Sequence, residues 1–224
     1  MTNQKFNLSY QPVDTESVKP LVKLYREVFS TPPWNEAWVC SNERCGRNYG
    51  GAEACQDDLC KKCGAPLREY YPPDRLGQEI IEISGRTGFR IATLLNEGDL
   101  SGFWYGWRGT LEEINRQKLA LAPQELAAME DRLSKAAPRP WLYLAEFGLK
   151  PELRGRGYGK ELFNYGLRSV SDDNVIARTT PSSPAYYINR QNRIDTVWNY
   201  TDGSGRVIMA RPYIIGEDDF PGCR

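Results

Sequence analysis

Histidine is absent from this 224-residue sequence, and its absence narrows the chemistry open to the chain. Proton transfer must use carboxylates, tyrosine, cysteine, lysine or water, and a zinc site must use thiolates or carboxylates. The sequence also lacks a G-x-S-x-G nucleophile motif between a strand and a helix. A serine hydrolase and a histidine-assisted cysteine acyl-enzyme are therefore disfavoured.

An excess of charge and long apolar runs are missing as well. Lysine and arginine number 29 together, as do aspartate and glutamate, so the formal net charge is zero. A general nucleic-acid binder usually carries a basic excess, so nucleic-acid binding is disfavoured. No apolar run is long enough to span a membrane, and no apolar secretory core follows residues 1–5. We therefore expect a cytoplasmic protein without a membrane segment.

The residues that are present indicate a globular fold with one substantial core and room for a small module, since 40% are hydrophobic and 12% aromatic. Apolar residues at helical spacing predict helices over 18–29 and 73–84. A polar, charged helical stretch over 110–137 is either a lid or interface, or a plain surface helix. The other predicted elements are strands at 5–13, 88–95, 100–108 and 174–180, a helix at 181–192, and a closing hairpin at 195–200 and 206–213.

The chain is organised around a glycine-rich segment between a strand and a helix. The apolar run 141–149 predicts a buried strand that Pro151 ends, and apolar residues at helical spacing follow over 162–167. Between them lies the sequence Arg-Gly-Arg-Gly-Tyr-Gly at 154–159. Glycines let a backbone approach a ligand closely, and free amides at a helix start favour an anion. This predicts a phosphate or pyrophosphate site; a basic loop that binds RNA or is merely solvated is the alternative.

The order of residues in this segment fits neither a dinucleotide-binding fingerprint nor a P-loop. It resembles the acetyl-CoA signature of the GNAT superfamily of N-acetyltransferases, [RQ]-x-x-G-x-[GA] after a strand of the form L-x-V-x-P. The positions in register are Phe147, Leu149, Pro151, Arg154, Gly157 and Gly159. The resemblance implies an α/β (α+β) fold with a mixed central sheet flanked by helices, in a single domain over 1–224. It also implies that the turn ending Pro-Trp-Asn-Glu at 33–36 borders the acceptor site.

The same resemblance implies acetyl-CoA as co-substrate and a direct attack by an amine in a ternary complex. The splayed strand that would hold the pantetheine is Phe147, Gly148 and Leu149. The pyrophosphate would be received by Arg154, Gly155, Arg156, Gly157, Tyr158, Gly159 and Lys160. Ser183 and Asn189 are expected to hydrogen-bond the cofactor. A different acyl-CoA donor is an alternative, because Phe103, Trp104 and Trp107 could line a wider pocket.

The catalytic residues are a further prediction. Glu146 is the candidate base, because partial burial on the motif strand would raise its pKa. Alternation places Ala145 and Glu146 on opposite faces, and a bulge would reverse the phase. A structural carboxylate, or water relayed to a distant carboxylate, is the alternative. The resemblance implies a tyrosine acid on the helix after the fifth strand; Tyr187 is our choice, although Asn189 lies nearest the usual position and Tyr186 and Tyr187 could simply pack.

Five of the six cysteines lie between 40 and 63. Cys40-x4-Cys45-Gly and Cys60-x2-Cys63-Gly resemble two zinc knuckles, and four thiolates suit tetrahedral zinc. Such a site is coordinatively closed and therefore structural. Cys55 competes for one ligand position, and reduced thiols without a metal are the alternative. We interpret 39–69 as an inserted zinc-ribbon-like module held together by its metal.

These observations predict an acetyl-CoA-dependent N-acetyltransferase with structural zinc, acting on a primary amine of a small molecule or peptide. The pattern leaves a homodimer open. The alternative is a protein- or nucleic-acid-binding zinc module on a vestigial acyltransferase core. Its contact surface would use the basic residues around the cysteines, namely Arg44, Arg47, Lys61, Lys62 and Arg68.

Overall fold

A computed structural model describes residues 4–51, 58–134, 136, 138–170 and 173–213. The strands are β1 Gln4–Ser9, β2 Trp38–Cys40, β3 Asn48–Tyr49, β4 Leu67–Glu69, β5 Arg90–Asn96, β6 Asp99–Gly109, β7 Trp141–Leu149, β8 Asn174–Thr179, β9 Asp195–Asn199 and β10 Val207–Arg211. The α-helices are α1 Val18–Phe29, α2 Pro73–Ser84, α3 Leu111–Ile114, α4 Pro123–Arg132, α5 Tyr158–Arg168 and α6 Pro184–Gln191. Within these ranges no helix is both long and apolar enough to cross a membrane.

The main sheet has seven strands in the order β1-β5-β6-β7-β8-β10-β9. Its neighbours are antiparallel except β7 and β8, which are parallel and joined through α5. Alternation along the strands separates two cores. Phe103 and Tyr105 pack with α1 and α2 on one face, whereas Trp104 packs with α5 on the other.

The sheet opens at its centre, where β7 and β8 separate. Pairing between them covers only 141–144 against 174–177, so 145–149 of β7 have no strand partner on that side in the described chain. On the other side β7 stays paired with β6, but Tyr105 faces Glu146 and Gly106 faces Leu144. Ala145 is therefore the extra residue of a β-bulge, which bends the strand at the start of the gap.

Most of the predicted elements are confirmed, and two differ. Helices α1 and α2 have the predicted bounds, because their apolar stripes are buried against the sheet. Strand β1 ends at Ser9 instead of residue 13. The 110–137 stretch is two short α-helices separated by a π-helical segment, Asn115–Leu119, which ends in a left-handed Ala120 ahead of Pro123. It covers a third apolar cluster on the α1 and α2 side of the sheet, and its interpretation as a lid or interface stays a prediction.

A second, three-stranded sheet in the order β3-β2-β4 lies between α1 and α2 in the chain. Its ends are tied together, because Tyr70 donates its amide to the Ala37 carbonyl at 3.0 Å and Ala37 donates to Tyr49 at 3.0 Å. An ion pair between Arg26 of α1 and Glu69, at 2.7 Å, fixes it to the main body. That the region 39–69 forms a module of its own stays a prediction.

Candidate active site

The loop between β7 and α5 is built as an anion cradle. Gly155 and Gly157 have φ angles of +73° and +90°, in a region where a side chain is strained, and nothing lies within 4 Å of a Cβ added to either. Gly157 caps α5 without a side-chain hydrogen bond. In the described chain the amides of 155–160 have no hydrogen-bond acceptor. Six free amides at a helix start, with exposed Arg156 and Lys160 beside them, suit a pyrophosphate.

Arg154 opens this loop, but its side chain is used elsewhere. The guanidinium donates to the carbonyl oxygens of Leu149 at 3.2 Å, Pro32 at 2.5 Å and Val28 at 3.1 Å, and to Thr31 Oγ1 at 3.2 Å. These acceptors include the last turn of α1, where a cation is favoured. The Arg154 side chain thus holds the loop against α1 while its positive charge stays next to the loop, and its part in receiving the pyrophosphate stays a prediction.

Replacing Arg154 with methionine should lower the free energy of unfolding by about 2–3 kcal/mol, because hydrogen bonds from a charged donor to buried acceptors are lost. Urea denaturation measures this change. Arg156→Met is the matched control: it is exposed and forms no ion pair in the described chain, so its stability should change by less than about 0.5 kcal/mol. Equal destabilisation by both variants would contradict the role given to Arg154.

The three residues of the splayed strand lie in different surroundings. Phe147 lines the gap and packs edge-on against Phe163, with ring centroids 5.6 Å apart. Gly148 is buried, and a Cβ there would lie 2.7 Å from the Phe103 ring, so glycine is needed for packing. Leu149 points into the core under α5. Only the backbone of these residues, together with the Phe147 ring, is therefore available to a cofactor.

Ser183 and Asn189 also differ from each other. Ser183 is buried; its hydroxyl accepts from the Tyr186 amide at 3.2 Å and hydrogen-bonds Thr179 Oγ1 at 2.7 Å, so it caps α6. Asn189 lines the gap and donates to Met209 Sδ at 3.6 Å, while its Oδ1 is buried without a partner in the described chain. An orphaned acceptor at this position fits a ligand amide.

A cavity of about 260 Å³, which we call the central cavity, extends from the gap between β7 and β8 towards the end of α1. Its walls come from the turn after α1, the residues before α2, the π-helical segment, β7, β8 and the start of β10. The lining polar and aromatic side chains include Phe29, Trp34, Glu36, Tyr70, Tyr71, Lys118, Tyr143, Glu146, Arg178 and Arg206. A space of this size suits a small ligand.

Glu146 lies in the central cavity next to the β7 bulge. Burial raises its pKa from 4.5 to about 7, against the opposing influence of Lys118 and Arg178. The Tyr71 hydroxyl donates to Glu36 at 2.6 Å, and the Tyr71 ring packs edge-on against Tyr25 with centroids 4.9 Å apart. A carboxylate whose pKa lies near neutrality can accept a proton at physiological pH.

Tyr187, the predicted acid, does not lie with Glu146. Its side chain is 60% exposed on the outside of α6 and does not line the central cavity. Its neighbour Tyr186 packs against the core, and its hydroxyl accepts from Thr196 at 3.5 Å. The assignment of Tyr187 as acid stays a prediction that this arrangement does not favour.

Several cavity residues have no counterpart in the sequence prediction. Lys118, Arg178 and Arg206 come from three elements that only the fold brings together. Tyr71 follows the cysteine region, and its partner Glu36 lies in the turn expected to border the acceptor site. No short motif links these positions, because their separations in sequence are set by the sheet topology.

The four predicted zinc ligands form one cluster. The sulfur atoms of Cys40, Cys45, Cys60 and Cys63 all lie within 4.8 Å of one another. Cys40 and Cys63 are 3.4 Å apart, and Cys45 and Cys60 are 3.7 Å apart. Tetrahedral zinc with bonds of about 2.3 Å separates its sulfurs by roughly 3.8 Å, which fits. Cys55 lies outside the described residues.

The thiols of the cysteine cluster differ in their pKa. Burial raises the pKa of Cys40 to about 12 and also raises that of Cys45. The Tyr49 hydroxyl lies 3.2 Å from Cys60 Sγ and lowers the pKa of that thiol to about 6. Because all four positions of a tetrahedral site would be filled by sulfur, the arrangement suits structural and not catalytic zinc.

No family model and no curated protein matches the chain. Solved structures do match it over nearly its whole length. PaiA N-acetyltransferase from Thermoplasma acidophilum, in complex with coenzyme A, is 14% identical, covers 93% of this chain and 99% of its own, and has a TM-score of 0.52. NAA60 from Arabidopsis thaliana, in complex with a bisubstrate analogue, is 12% identical, with 96% and 99% covered and a TM-score of 0.51.

A third similar structure comes from Corynebacterium glutamicum and is described as histone acetyltransferase HPA2 and related acetyltransferase. It is 16% identical, with 97% of this chain and 99% of its own covered, and a TM-score of 0.52. Identities this low establish the fold and not the substrate. The chain therefore has the fold of the GNAT N-acetyltransferases.

Proposed function

We propose that this protein is an acetyl-CoA-dependent N-acetyltransferase that transfers an acetyl group to a primary amine by direct attack in a ternary complex. One observation carries the proposal: the unpaired stretch of β7 and the near-neutral carboxylate of Glu146 open into the same cavity. A thioester placed in the gap would thus lie beside a base. Proximity of this kind, with a positioned proton acceptor, is the main requirement of amide formation.

The cofactor would be held from both ends of the gap. The free amides of 155–160, with Arg156 and Lys160, would bind the pyrophosphate. On the side that faces β8, residues 145–148 of β7 lack a strand partner in the described chain, so their polar groups on that side are available to the pantetheine amides. The orphaned Oδ1 of Asn189 supports the same assignment.

In the proposed reaction the amine nitrogen forms a bond to the thioester carbonyl carbon, and the carbon–sulfur bond breaks. Glu146 accepts the proton that the amine loses, directly or through water. The leaving thiolate takes up one proton, so charge and atoms balance. Supplying acetyl is the cofactor's contribution, while the chain aligns the reactants and moves a proton. Acetyl-CoA is preferred to longer acyl donors because the cavity is small.

We also propose that zinc is bound by Cys40, Cys45, Cys60 and Cys63 and is structural. The spacings between the four sulfur atoms support this ligand set. The small sheet has few buried apolar residues of its own, the cluster comprising Cys40, Tyr49 and Cys60. A metal would thus supply stability that the core of this sheet cannot.

The first experiment is calorimetric titration of the purified protein with acetyl-CoA and with CoA. We expect micromolar binding of both, followed by acetylation when primary amines are added. Absence of binding by folded protein would contradict the proposal. Competition by propionyl-CoA or longer thioesters tests the choice of donor.

Gly157→Glu should lower acetyl-CoA affinity by at least about tenfold, because its carboxylate would meet the pyrophosphate. Gly98→Glu is a matched control: Gly98 has a φ of +92°, equal space around its Cβ, and lies in the β5–β6 turn. Both variants carry the same backbone strain of about 1–2 kcal/mol. The two variants should therefore be equally stable but differ in the acetyl-CoA affinity that calorimetry measures. Equal affinities would refute the assignment of 155–160 as the pyrophosphate site.

A further inference from the structure

The central cavity is lined by more cations than carboxylates. Three cations, Lys118, Arg178 and Arg206, line it and come from the π-helical segment, β8 and the position just before β10. Glu36 and Glu146 are the cavity's carboxylates. We call the three cations the basic cluster. Three positive side chains around so small a space are unfavourable unless something negative balances them.

The protein supplies little to balance the basic cluster. None of the three cations forms an ion pair within the described residues. Arg178 donates to the Lys118 carbonyl oxygen, which holds both residues together, and Lys118 Nζ lies 5.7 Å from the Trp107 ring centroid. The cavity carboxylates act only at longer range. Burial raises the pKa of both Glu146 and Glu36, and this rise is opposed by Lys118 and Arg178 at Glu146 and by Arg206 at Glu36. Outside the cavity lining, hydrogen bonds from Ser204 and the charge of Arg206 lower the pKa of Asp202.

The basic cluster and the anion cradle that would bind the cofactor phosphates lie on opposite faces of the sheet. Along β8, Val175 and Ala177 pack under α5, whereas Ile176 packs with the third apolar cluster on the other face. Arg178 shares the side of Ile176 by strand alternation. Lys118 precedes Leu119, which is buried in that same cluster. The anion cradle at 155–160 belongs to α5, so an anion at the basic cluster would be a different group.

Other residues that line the cavity suit the amine. Glu36 is among them, with its hydroxyl partner Tyr71 and the aromatic rings of Trp34 and Tyr70. Aromatic faces and a carboxylate attract an ammonium group. Glu146, at the β7 bulge, lies in the same cavity.

We infer that the acceptor carries an anionic group, a carboxylate or a phosphate, in addition to its primary amine, and that Lys118, Arg178 and Arg206 bind this group. This inference rests on the proposed acetyl transfer and specifies its substrate class as small zwitterionic amines. Guanidinium groups recognise both anions with paired hydrogen bonds, so the cluster by itself does not distinguish them.

The test compares matched pairs of amines in steady-state acetylation. Amino acids of increasing chain length are each paired with their carboxamide, and O-phosphoethanolamine is paired with ethanolamine. Rates are corrected for the fraction of unprotonated amine. We expect kcat/KM to be at least about tenfold higher for the anionic member of one series, which identifies the anion. Equal values within every pair would overturn the inference while leaving acetyl transfer intact.

Variants connect the preference to the basic cluster. Lys118→Met and Arg178→Met should reduce the preference to about one, and Arg178→Lys should restore part of it. Arg116→Met is the control, because Arg116 is exposed in the same π-helical segment and does not line the cavity. All variants should keep their acetyl-CoA affinity in calorimetry. A loss of that affinity in Lys118→Met and Arg178→Met would assign the cluster to the cofactor and overturn the inference.

Binding gives a second readout that does not depend on turnover. The same amine pairs are titrated into the complex with CoA. Tighter binding of the anionic member, lost in Arg178→Met, supports the inference, and equal or absent binding of both members overturns it. Failure of the protein to bind acetyl-CoA at all would instead remove the proposed function, and this is read separately in the first titration.

Discussion

Replacing Glu146 with glutamine should lower kcat/KM for acetyl transfer by about 10²- to 10⁴-fold, the usual contribution of a positioned proton acceptor. Glutamine keeps the size of the side chain but cannot take a proton from the amine. Steady-state kinetics measure the loss, and acetyl-CoA affinity by calorimetry should stay unchanged. Glu36→Gln is the comparison: this second cavity carboxylate is hydrogen-bonded to Tyr71 and is assigned to attracting the amine, so its replacement should lower kcat/KM less than Glu146→Gln does. A larger loss for Glu36→Gln would move the base to that residue.

The pH dependence follows from the pKa of about 7 that burial gives Glu146. The base is deprotonated above this value, so wild-type activity should rise as pH rises through about 7, and this limb should be missing in Glu146→Gln. Stability should show the opposite trend. The pKa of Glu146 in the folded state lies above its ordinary value of 4.5, so the native state keeps a proton that the unfolded chain loses. The free energy of unfolding should therefore fall as pH rises from 4.5 to about 7.

Removing the metal should have the second large effect. A chelator, or Cys60→Ser, should release one equivalent of zinc and unfold the small sheet, since structural zinc contributes about 10–16 kcal/mol in small peptides. Glu36 and Tyr71 lie just outside the two ends of this sheet, and both line the central cavity, where the Tyr71 hydroxyl donates to Glu36. The KM for the amine should therefore rise by about tenfold or more, while acetyl-CoA affinity stays within about twofold.

Cys55→Ser separates the two ligand sets considered from the sequence. If the four clustered cysteines are the ligands, this variant keeps its zinc and its KM. Loss of metal in Cys55→Ser would show that Cys55 takes a ligand position. An unchanged KM for the amine after complete zinc removal would contradict the link between the metal and the positions of Glu36 and Tyr71 in the cavity.

Local sequence patterns predicted the features that depend on residues close together in the chain. The bounds of α1 and α2 follow from apolar stripes that need only one covering face, and the loop at 155–160 follows from glycines and a helix start. The zinc knuckles have short fixed spacings, and their four sulfurs meet in the structure. The roles of these residues stay predictions until they are measured.

Long-range geometry could not be predicted in the same way. The Arg154 guanidinium reaches carbonyl groups more than 120 residues earlier in the chain, and nothing in its own motif indicates this. The bulge at Ala145 was only an alternative, because strand phase depends on the register with β6. The basic cluster depends on the order of strands in the sheet, so Lys118 and Arg178 became neighbours only in three dimensions.

The hydrogen bond between Tyr70 and Ala37 gives the small sheet a particular place in the chain's topology. In the described chain the backbone at Tyr70 returns to Ala37, so the small sheet is closed at its base by this hydrogen bond. Closing an unstructured loop of that length costs entropy that grows only with the logarithm of its length, about 0.6 kcal/mol per doubling. Glu36 and Tyr71 are held in the cavity lining by this closure and not by the sequence of the segment between them. A shorter hairpin that joins Ala37 to Tyr70 could therefore replace the segment.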